Sequence, residues 1–206
     1  MLLAIDTSAG TSVAVVDREG GVLSEIIETD TMRHAEVIGT LIDEALTVAG
    51  IEVRALSGVV AGMGPGPFTG LRVGIAAAKA FAIGAGKPLV PVVSHDAVAY
   101  DRYASGHAGP LLIVTDARRR ERYWTAYSGL DGFGLPIRLD GPGLARPDEL
   151  PHPDVARVDA DVVPAGRLGM IAELRYANRL PMDPDVALYL RSPDVTPSAG
   201  PKRVTA

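Results

Sequence analysis

Two short stretches carry residue types that do chemistry around phosphate. Asp6, Thr7 and Ser8 close the apolar run that starts at Leu2, and Ala9 and Gly10 turn the chain after them. A carboxylate at a strand end can stand near a metal-bound phosphate, while hydroxyls and turn N–H groups touch the phosphate itself. The same residues are ordinary turn formers, so the triplet also reads simply as a turn. The second stretch, Gly62 to Gly70 (GMGPGPFTG), lies between an apolar run and a helical pattern, where nucleotide loops occur. It departs from both standard patterns. A Gly-x-Gly-x-x-Gly reading from Gly64 puts Thr69 in the last position, and Gly-Lys-Ser/Thr occurs nowhere in the chain. Pro65 and Pro67 also lack the N–H donors of a phosphate cradle, so this loop reads mainly as a rigid shape.

Other candidates are thinner. The histidines are His34, His95, His107 and His152, and no two have the i, i+4 spacing of a helical metal site; four residues after His34 stands Ile38. Each reads as a surface or capping residue. Asp116 is the second half's counterpart of Asp6, but Ala117, Arg118, Arg119 and Arg120 follow it where a phosphate loop uses Gly or Thr. Those arginines, with Arg122, Tyr123 and Trp124, form a basic and aromatic cluster. It reads either as a solvated strand edge or as a contact for RNA phosphate or a partner's acidic surface. There is no cysteine, hence no thiol nucleophile, disulfide or Cys-ligated metal. No nucleophile–base arrangement emerges from these pieces.

The elements that must position these residues follow from periodicity. Leu2–Asp6, Thr11–Val16 and Val22–Glu28 read as three strands, with turns at Ala9–Gly10 and Asp17–Gly21. Asp30 or Thr31 is set to cap a helix carrying Ile38, Leu41, Ile42, Ala45 and Ala49 at helical spacing, and Gly50 closes it. A strand from Leu56 to Ala61, the Gly-Pro loop and a helix from Phe68 or Thr69 follow. In that helix Gly70, Gly74, Ala78 and Ala82 recur every fourth residue, leaving one edge almost bare. Glycine costs about 1 kcal/mol relative to alanine inside a helix, so the bare edge implies close packing against another backbone. Arg72 and Lys79, its charged residues, share a different stripe. They interrupt the apolar run, which argues against a membrane span. Pro88–Val93 reads as a strand, and Ser94 is set to cap a helix ending near Tyr103.

The order β-β-β-α-β-α-β-α predicts a mixed α/β sheet with helices on its faces. Ser105–Pro110 is the expected boundary between an N-terminal lobe, 1–105, and a smaller lobe, 106–192, with a frayed tail over 193–206. The second half repeats the start: strands at Pro110–Thr115 and Tyr123–Ser128, a turn and strand within Asp131–Leu139, then weaker signals. There a Pro- and Gly-rich stretch at Gly141–Pro153 precedes a strand at Val162–Gly166 and a helix at Leu168–Leu180. One architecture used twice, with the second copy eroded, is the reading.

Composition bounds the function. The 206 residues are 47% hydrophobic but 5% aromatic, so the core is built from small aliphatic side chains. A net charge of −5 is not that of an autonomous nucleic-acid binder. The N-terminal MLLAIDTSAG has no basic region and its apolar run stops at Asp6, unlike a signal peptide, so a cytoplasmic protein is expected.

Six segments together resemble the bacterial TsaB family of tRNA threonylcarbamoyladenosine biosynthesis proteins (YeaZ-like, paralogous to TsaD). They are LAIDTS at Leu3–Ser8, MRHAEVIGTLIDEAL at Met32–Leu46, GMGPGPFTGLRVGIAAAKAFA at Gly62–Ala82, SHDAVA at Ser94–Ala99, TDARRRERYWTAY at Thr115–Tyr127 and LYLRSPDV at Leu188–Val195. The GPGPFTGLR segment is the most specific of them. The resemblance implies a two-lobed fold of the actin/Hsp70/sugar-kinase class with duplicated lobes, the second degenerate. It implies a non-catalytic scaffold for TsaD, the paralogue that holds a His-x-x-x-His metal pair and transfers the threonylcarbamoyl group to the adenosine beside the tRNA anticodon. TsaE, an ATPase, joins them, and tRNA meets the complex. The family pairs through its first two helices, here 32–49 and 68–85. That makes Ile38, Leu41, Ile42, Ala45, Gly70, Leu71, Arg72, Gly74, Ile75, Ala78 and Lys79 the expected interface, with Arg72 and Lys79 at its rim. Asp6, Thr7 and Ser8 become degenerate phosphate-loop positions. No cofactor is expected on the isolated chain, with ATP or ADP reserved for the joint between subunits. A homodimer in the partner's absence is left open. The rival reading is an ATP-dependent phosphotransferase or ATPase of the same fold with Asp6 positioning Mg²⁺; a protease, the family's older label, lacks the residues for it.

Overall fold

The computed structural model describes residues 1–191. Three strands open the chain: β1 (Leu2–Asp6), β2 (Thr11–Asp17) and β3 (Gly21–Glu28). Helix α1 (His34–Ala49), strand β4 (Gly58–Gly62), helix α2 (Phe68–Ala85), strand β5 (Leu89–Val92) and helix α3 (Ser94–Ala104) follow. The strands form one five-stranded sheet in the order β3-β2-β1-β4-β5. β1 is antiparallel to β2 and parallel to β4. A second sheet holds β6 (Leu111–Asp116), β7 (Arg122–Leu130), β8 (Pro136–Ala145) and β9 (Ala156–Asp159) in the order β8-β7-β6-β9. Its pairings, antiparallel β6–β7 and β7–β8 and parallel β6–β9, repeat those of β3-β2-β1-β4. The expected duplication is therefore present in the strand order, short by one strand.

Layering follows from strand chemistry. β1 is buried throughout, as a central strand covered on both faces must be. Its side chains alternate between two cores. Leu3 and Ile5 join Val13, Val15, Val59 and Ala61 beneath α1 and α2. Leu2 and Ala4 join Val16, Val60, Ala97, Leu111, Ile113, Tyr127, Leu168 and Ile171 between the two sheets. Helix α4 (Ala165–Ala177) lies in that second core against β2, β1 and β3, while α3 contacts β6, β7 and β8. Each half thus lends a helix to the other half's sheet, and the core runs unbroken across Ser105–Pro110.

Several sequence expectations shift. The fourth helix starts at Ala165 and stops at Ala177, earlier at both ends than 168–180, because the helix follows the Pro164 turn directly. The strand expected at 162–166 is instead β9, because 156–159 is what pairs with β6. β8 continues through Gly141 to Ala145, into the Pro- and Gly-rich stretch. α1 begins at His34 after Arg33, with no side-chain cap from Asp30 or Thr31. Ser94 is the first residue of α3 and not its cap; its hydroxyl points elsewhere. The tail expected over 193–206 lies outside the described residues.

Candidate functional site

The Asp-Thr-Ser turn is closed over by the Gly-Pro loop. β1 delivers Asp6 to the inner end of the sheet, where it is 1% exposed. Its Oδ1 accepts from the Ser8 N–H at 2.8 Å and the Ser8 hydroxyl at 2.5 Å, and its Oδ2 accepts from the Ser94 hydroxyl at 2.5 Å. Ser94 Oγ in turn accepts the Gly64 N–H at 2.9 Å, which ties the loop to the same carboxylate. Burial pushes the Asp6 carboxyl above its ordinary range, against the bonds from Ser8 and Ser94 that lower it. The Thr7 hydroxyl donates to the Gly70 carbonyl at 2.7 Å.

The glycines record how tight the closure is. A Cβ on Gly62 would stand 1.8 Å from Asp6 Oδ2, one on Gly66 2.8 Å from Ser8 Cα, and one on Gly70 2.8 Å from the Thr7 carbonyl. The bare edge of α2 therefore faces this chain's own turn, which settles its direction. Asp6, Thr7 and Ser8, expected as phosphate-loop positions, have their side-chain oxygens bonded internally. The loop that follows β4 packs directly on the turn, with Gly66 against Ser8.

His34 starts α1 with its Nδ1 2.7 Å from Thr11 Oγ1, and its Nε2 lies over Gly70. Burial, and then Arg118, lower its pKa. His95 is fully buried, with Nδ1 2.7 Å from Thr125 Oγ1 and Nε2 3.0 Å from Thr115 Oγ1; burial lowers its pKa to about 3. Both correct the expectation of surface histidines: hydroxyls from β2, β6 and β7 satisfy the rings inside. Ile38, the residue one turn after His34, is buried in the apolar core, so the metal pair of the paralogue has no counterpart there. Among the described residues no group of three His, Asp or Glu side chains is placed to hold a metal ion.

The expected interface residues divide sharply. Ile38, Leu41, Ile42, Ala45, Gly70, Leu71, Gly74, Ile75 and Ala78 are buried within this chain, packed on the first sheet or the Asp-Thr-Ser turn. Their side chains cover the chain's own core and turn. Arg72 and Lys79 do reach the surface, but the chain's own segment after Pro181 engages them. The Arg72 guanidinium lies 3.8 Å over the Phe68 ring and 5.7 Å from Tyr189, and Lys79 pairs with Asp185 at 2.8 Å. The Leu188 N–H donates to the Met63 carbonyl at 2.8 Å, which lays that segment along the Gly-Pro loop. What α2 turns outward is Ala76, Ala80 and Ile83, the last 81% exposed. By length and composition alone α2 is apolar enough to cross a membrane; its buried edge gives it the place of a core helix.

Sequence reasoning missed a charged cluster that ties the halves together. Arg138 of β8 donates to Asp96 of α3 at 2.7 and 2.6 Å and to Asp183 at 2.9 Å. Arg175 of α4 meets Asp183 at 2.6 Å, and the Tyr127 hydroxyl donates to Asp96 at 2.8 Å. Burial raises the pKa of Asp183, but Arg138 and Arg175 outweigh it and hold the carboxyl below its ordinary range. A cavity of about 430 Å³ opens beside the cluster. The partners are 42 and 45 residues apart in sequence, so no local pattern could have joined them. Of the basic cluster, Arg118, Arg119 and Arg120 are exposed at the β6–β7 turn, while Arg122 pairs with Asp116.

A family model described as TsaD, tRNA N6-adenosine threonylcarbamoyltransferase, matches residues 5–133, which hold the Asp-Thr-Ser turn, the Gly-Pro loop and the basic turn. The chain belongs to the TsaD family. An uncharacterized Mycobacterium tuberculosis protein is 38% identical over 96% of this chain and 95% of its own length. The tRNA threonylcarbamoyladenosine biosynthesis protein TsaB of Escherichia coli is 32% identical over 61% of this chain and 54% of that one. A crystal structure from Pseudomonas aeruginosa of an uncharacterized protein with similarity to peptidase YeaZ superposes with a TM-score of 0.77 at 25% identity, covering 92% of this chain and 99% of that one.

Within the TsaD family the likeness is therefore to TsaB and YeaZ. The mixed α/β architecture with two related sheets is that of the actin/Hsp70/sugar-kinase class. Ile38, one turn after His34, has its side chain committed to the core beneath α1 and α2.

Proposed function

We propose that this chain is a subunit of the machinery that forms threonylcarbamoyladenosine at the adenosine 3′ of the anticodon in tRNA. Its part is non-catalytic: it holds TsaD, the transferase, in an active arrangement, and the ATPase TsaE joins the pair in the cytoplasm. One observation carries the reading. The family's Asp-Thr-Ser turn is retained, yet Asp6, Thr7 and Ser8 are buried and bonded to Ser94, Gly70 and one another. A turn satisfied in this way is a structural element supporting α2, and no acid, base or metal ligand is aimed outward from it. The surfaces left to meet TsaD are the outward sides of α1 and α2, where Val48, Ala76, Ala80 and Ile83 are exposed. The same surface pairs with a second copy when TsaD is absent. A nucleotide, ATP or ADP, belongs to the joint of the assembled subunits.

Size-exclusion chromatography with light scattering, on the chain alone and mixed with its organism's TsaD, tests this. A stable mixed species is expected, and none of its formation requires MgATP binding by the isolated chain. Separate elution, together with MgATP binding by the isolated chain that Asp6→Asn abolishes, would replace this reading with an ATP-dependent phosphotransferase.

A further inference from the structure

We propose that the turn at Arg118–Arg120 is a phosphate contact for RNA made by this chain itself. The proposal rests on the tRNA-modification reading above and adds to it where the chain meets the nucleic acid. The turn joins β6 to β7 and is closed by the Ala117 N–H on the Glu121 carbonyl at 3.1 Å and the Glu121 N–H on the Arg118 carbonyl at 2.9 Å. Its three arginines have φ of 64°, 48° and 62°. A left-handed backbone costs about 1–2 kcal/mol for each residue that carries a Cβ. Hairpins that need it use Gly, Asn or Asp. Here the fold asks for that conformation three times running, and the sequence answers each time with arginine, which lacks the short polar side chain that eases it in Asn and Asp. Such strain is retained where the side chain has a task.

The turn is also held from several sides. The Arg118 guanidinium donates to Thr31 in the β3–α1 connection. The Arg191 guanidinium donates to the Ala117 carbonyl at 3.0 Å. The two carboxylates nearest in sequence have arginine partners at the base of the turn: Asp116 pairs with Arg122, and Glu121 lies 3.7 Å from Arg191. Arg118, Arg119 and Arg120 are exposed above that base. The whole chain carries −5, so this is a local concentration of positive charge on an acidic protein. Guanidinium forks match phosphate oxygens bidentately, and a row of them at a fixed turn suits a polyanion. Between an RNA backbone and an acidic protein surface, the tRNA substrate of the proposed reaction favours the RNA.

The test uses the chain mixed with its organism's TsaD and a fluorescent anticodon stem-loop RNA. The variant is Arg119→Asn/Arg120→Asn, because asparagine tolerates the left-handed turn and Arg118 keeps its bond to Thr31. Each lost phosphate contact lowers the slope of log K against log salt by about 0.7 on a single-stranded loop. Two contacts lower it by about 1.4, so between about 50 and 200 mM salt the wild type should lose about sevenfold more affinity than the variant. An unchanged thermal midpoint would show that the turn still folds. Equal slopes and affinities would overturn the proposal. So would weakened TsaD association with RNA binding intact at saturating TsaD, which would assign the turn to a protein surface. If no complex with TsaD forms, the functional reading fails separately, and ultraviolet crosslinking of the same RNA to the chain alone decides the contact. Crosslinking reduced in the variant supports it, and equal crosslinking refutes it.

Discussion

Gly74→Ala tests whether the bare edge of α2 exists to admit the Asp-Thr-Ser turn. The added methyl would stand 2.1 Å from Thr7 Oγ1, 3.0 Å from its Cγ2 and 3.1 Å from its Cβ. Thr7 is 2% exposed and its hydroxyl is committed to the Gly70 carbonyl at 2.7 Å. As a β-branched residue it has few rotamers to escape into. Three terms compete. Helix propensity favours alanine by about 1 kcal/mol. Overpacking costs about 1–3 kcal/mol. Displacing the buried hydroxyl from its partner costs a further ~1–3 kcal/mol. The net is a destabilisation of about 3 kcal/mol, which urea unfolding would read as a lower midpoint at unchanged slope. Gly84→Ala on the same helix is the control, since a Cβ there meets nothing within 4 Å. It should stabilise by up to about 1 kcal/mol. Thr7→Ala should recover most of the loss in a double-mutant cycle. If Gly74→Ala matches Gly84→Ala in sign and size, the close-approach argument is wrong.

His95, with a folded pKa of about 3, is neutral in its pocket, whereas the unfolded chain protonates it below about 6.5. Between those values the unfolded state binds the extra proton, so this residue's contribution falls as pH falls, by about 1.4 kcal/mol per unit. Asp6, pushed upward, acts in the opposite sense, so the comparison is between wild type and His95→Gln: the variant's pH–stability curve should be flatter over that window. Arg138→Gln leaves Asp96 and Asp183 with Arg175 as the remaining cation of the cluster and should cost about 3 kcal/mol in chemical denaturation. Asp183 sits below its ordinary pKa, so its stabilising share is present above about pH 4 and is lost below it; in Arg138→Gln that acid-limb loss should shrink. Ile83→Arg, at an 81% exposed position, should leave stability within about 0.5 kcal/mol yet weaken the mixed complex on chromatography.

The strands and helices up to Ser94 were legible because each carries its period. β1 and β4 are short apolar runs, and α1 and α2 repeat at three and four residues. The second half was harder for a physical reason. β9 is four residues of exposed and half-buried character, and its place is set by pairing with β6 rather than by its own pattern. At the site, the small edge of α2 announced a close approach, but its target, the Thr7 turn, is 63 residues away in sequence. The interface expected on α1 and α2 came from the resemblance, and most of its residues cover the first sheet. Arg72 and Lys79 looked outward because nothing local showed that Tyr189 and Asp185 return to them. His95 gave no sign of burial, since its hydroxyl partners come from β6 and β7.

The central claim is that this chain is required for a transfer reaction that it does not itself catalyse. An omit-one assay measures this directly: threonylcarbamoyladenosine formed on tRNA by TsaD and TsaE with the threonylcarbamoyl adenylate donor, with and without this chain. The account predicts product only when the chain is present with TsaD, none from the chain alone, and full activity in Asp6→Asn chain that remains folded. Product formed by the chain alone, or undiminished product when it is left out, would contradict it.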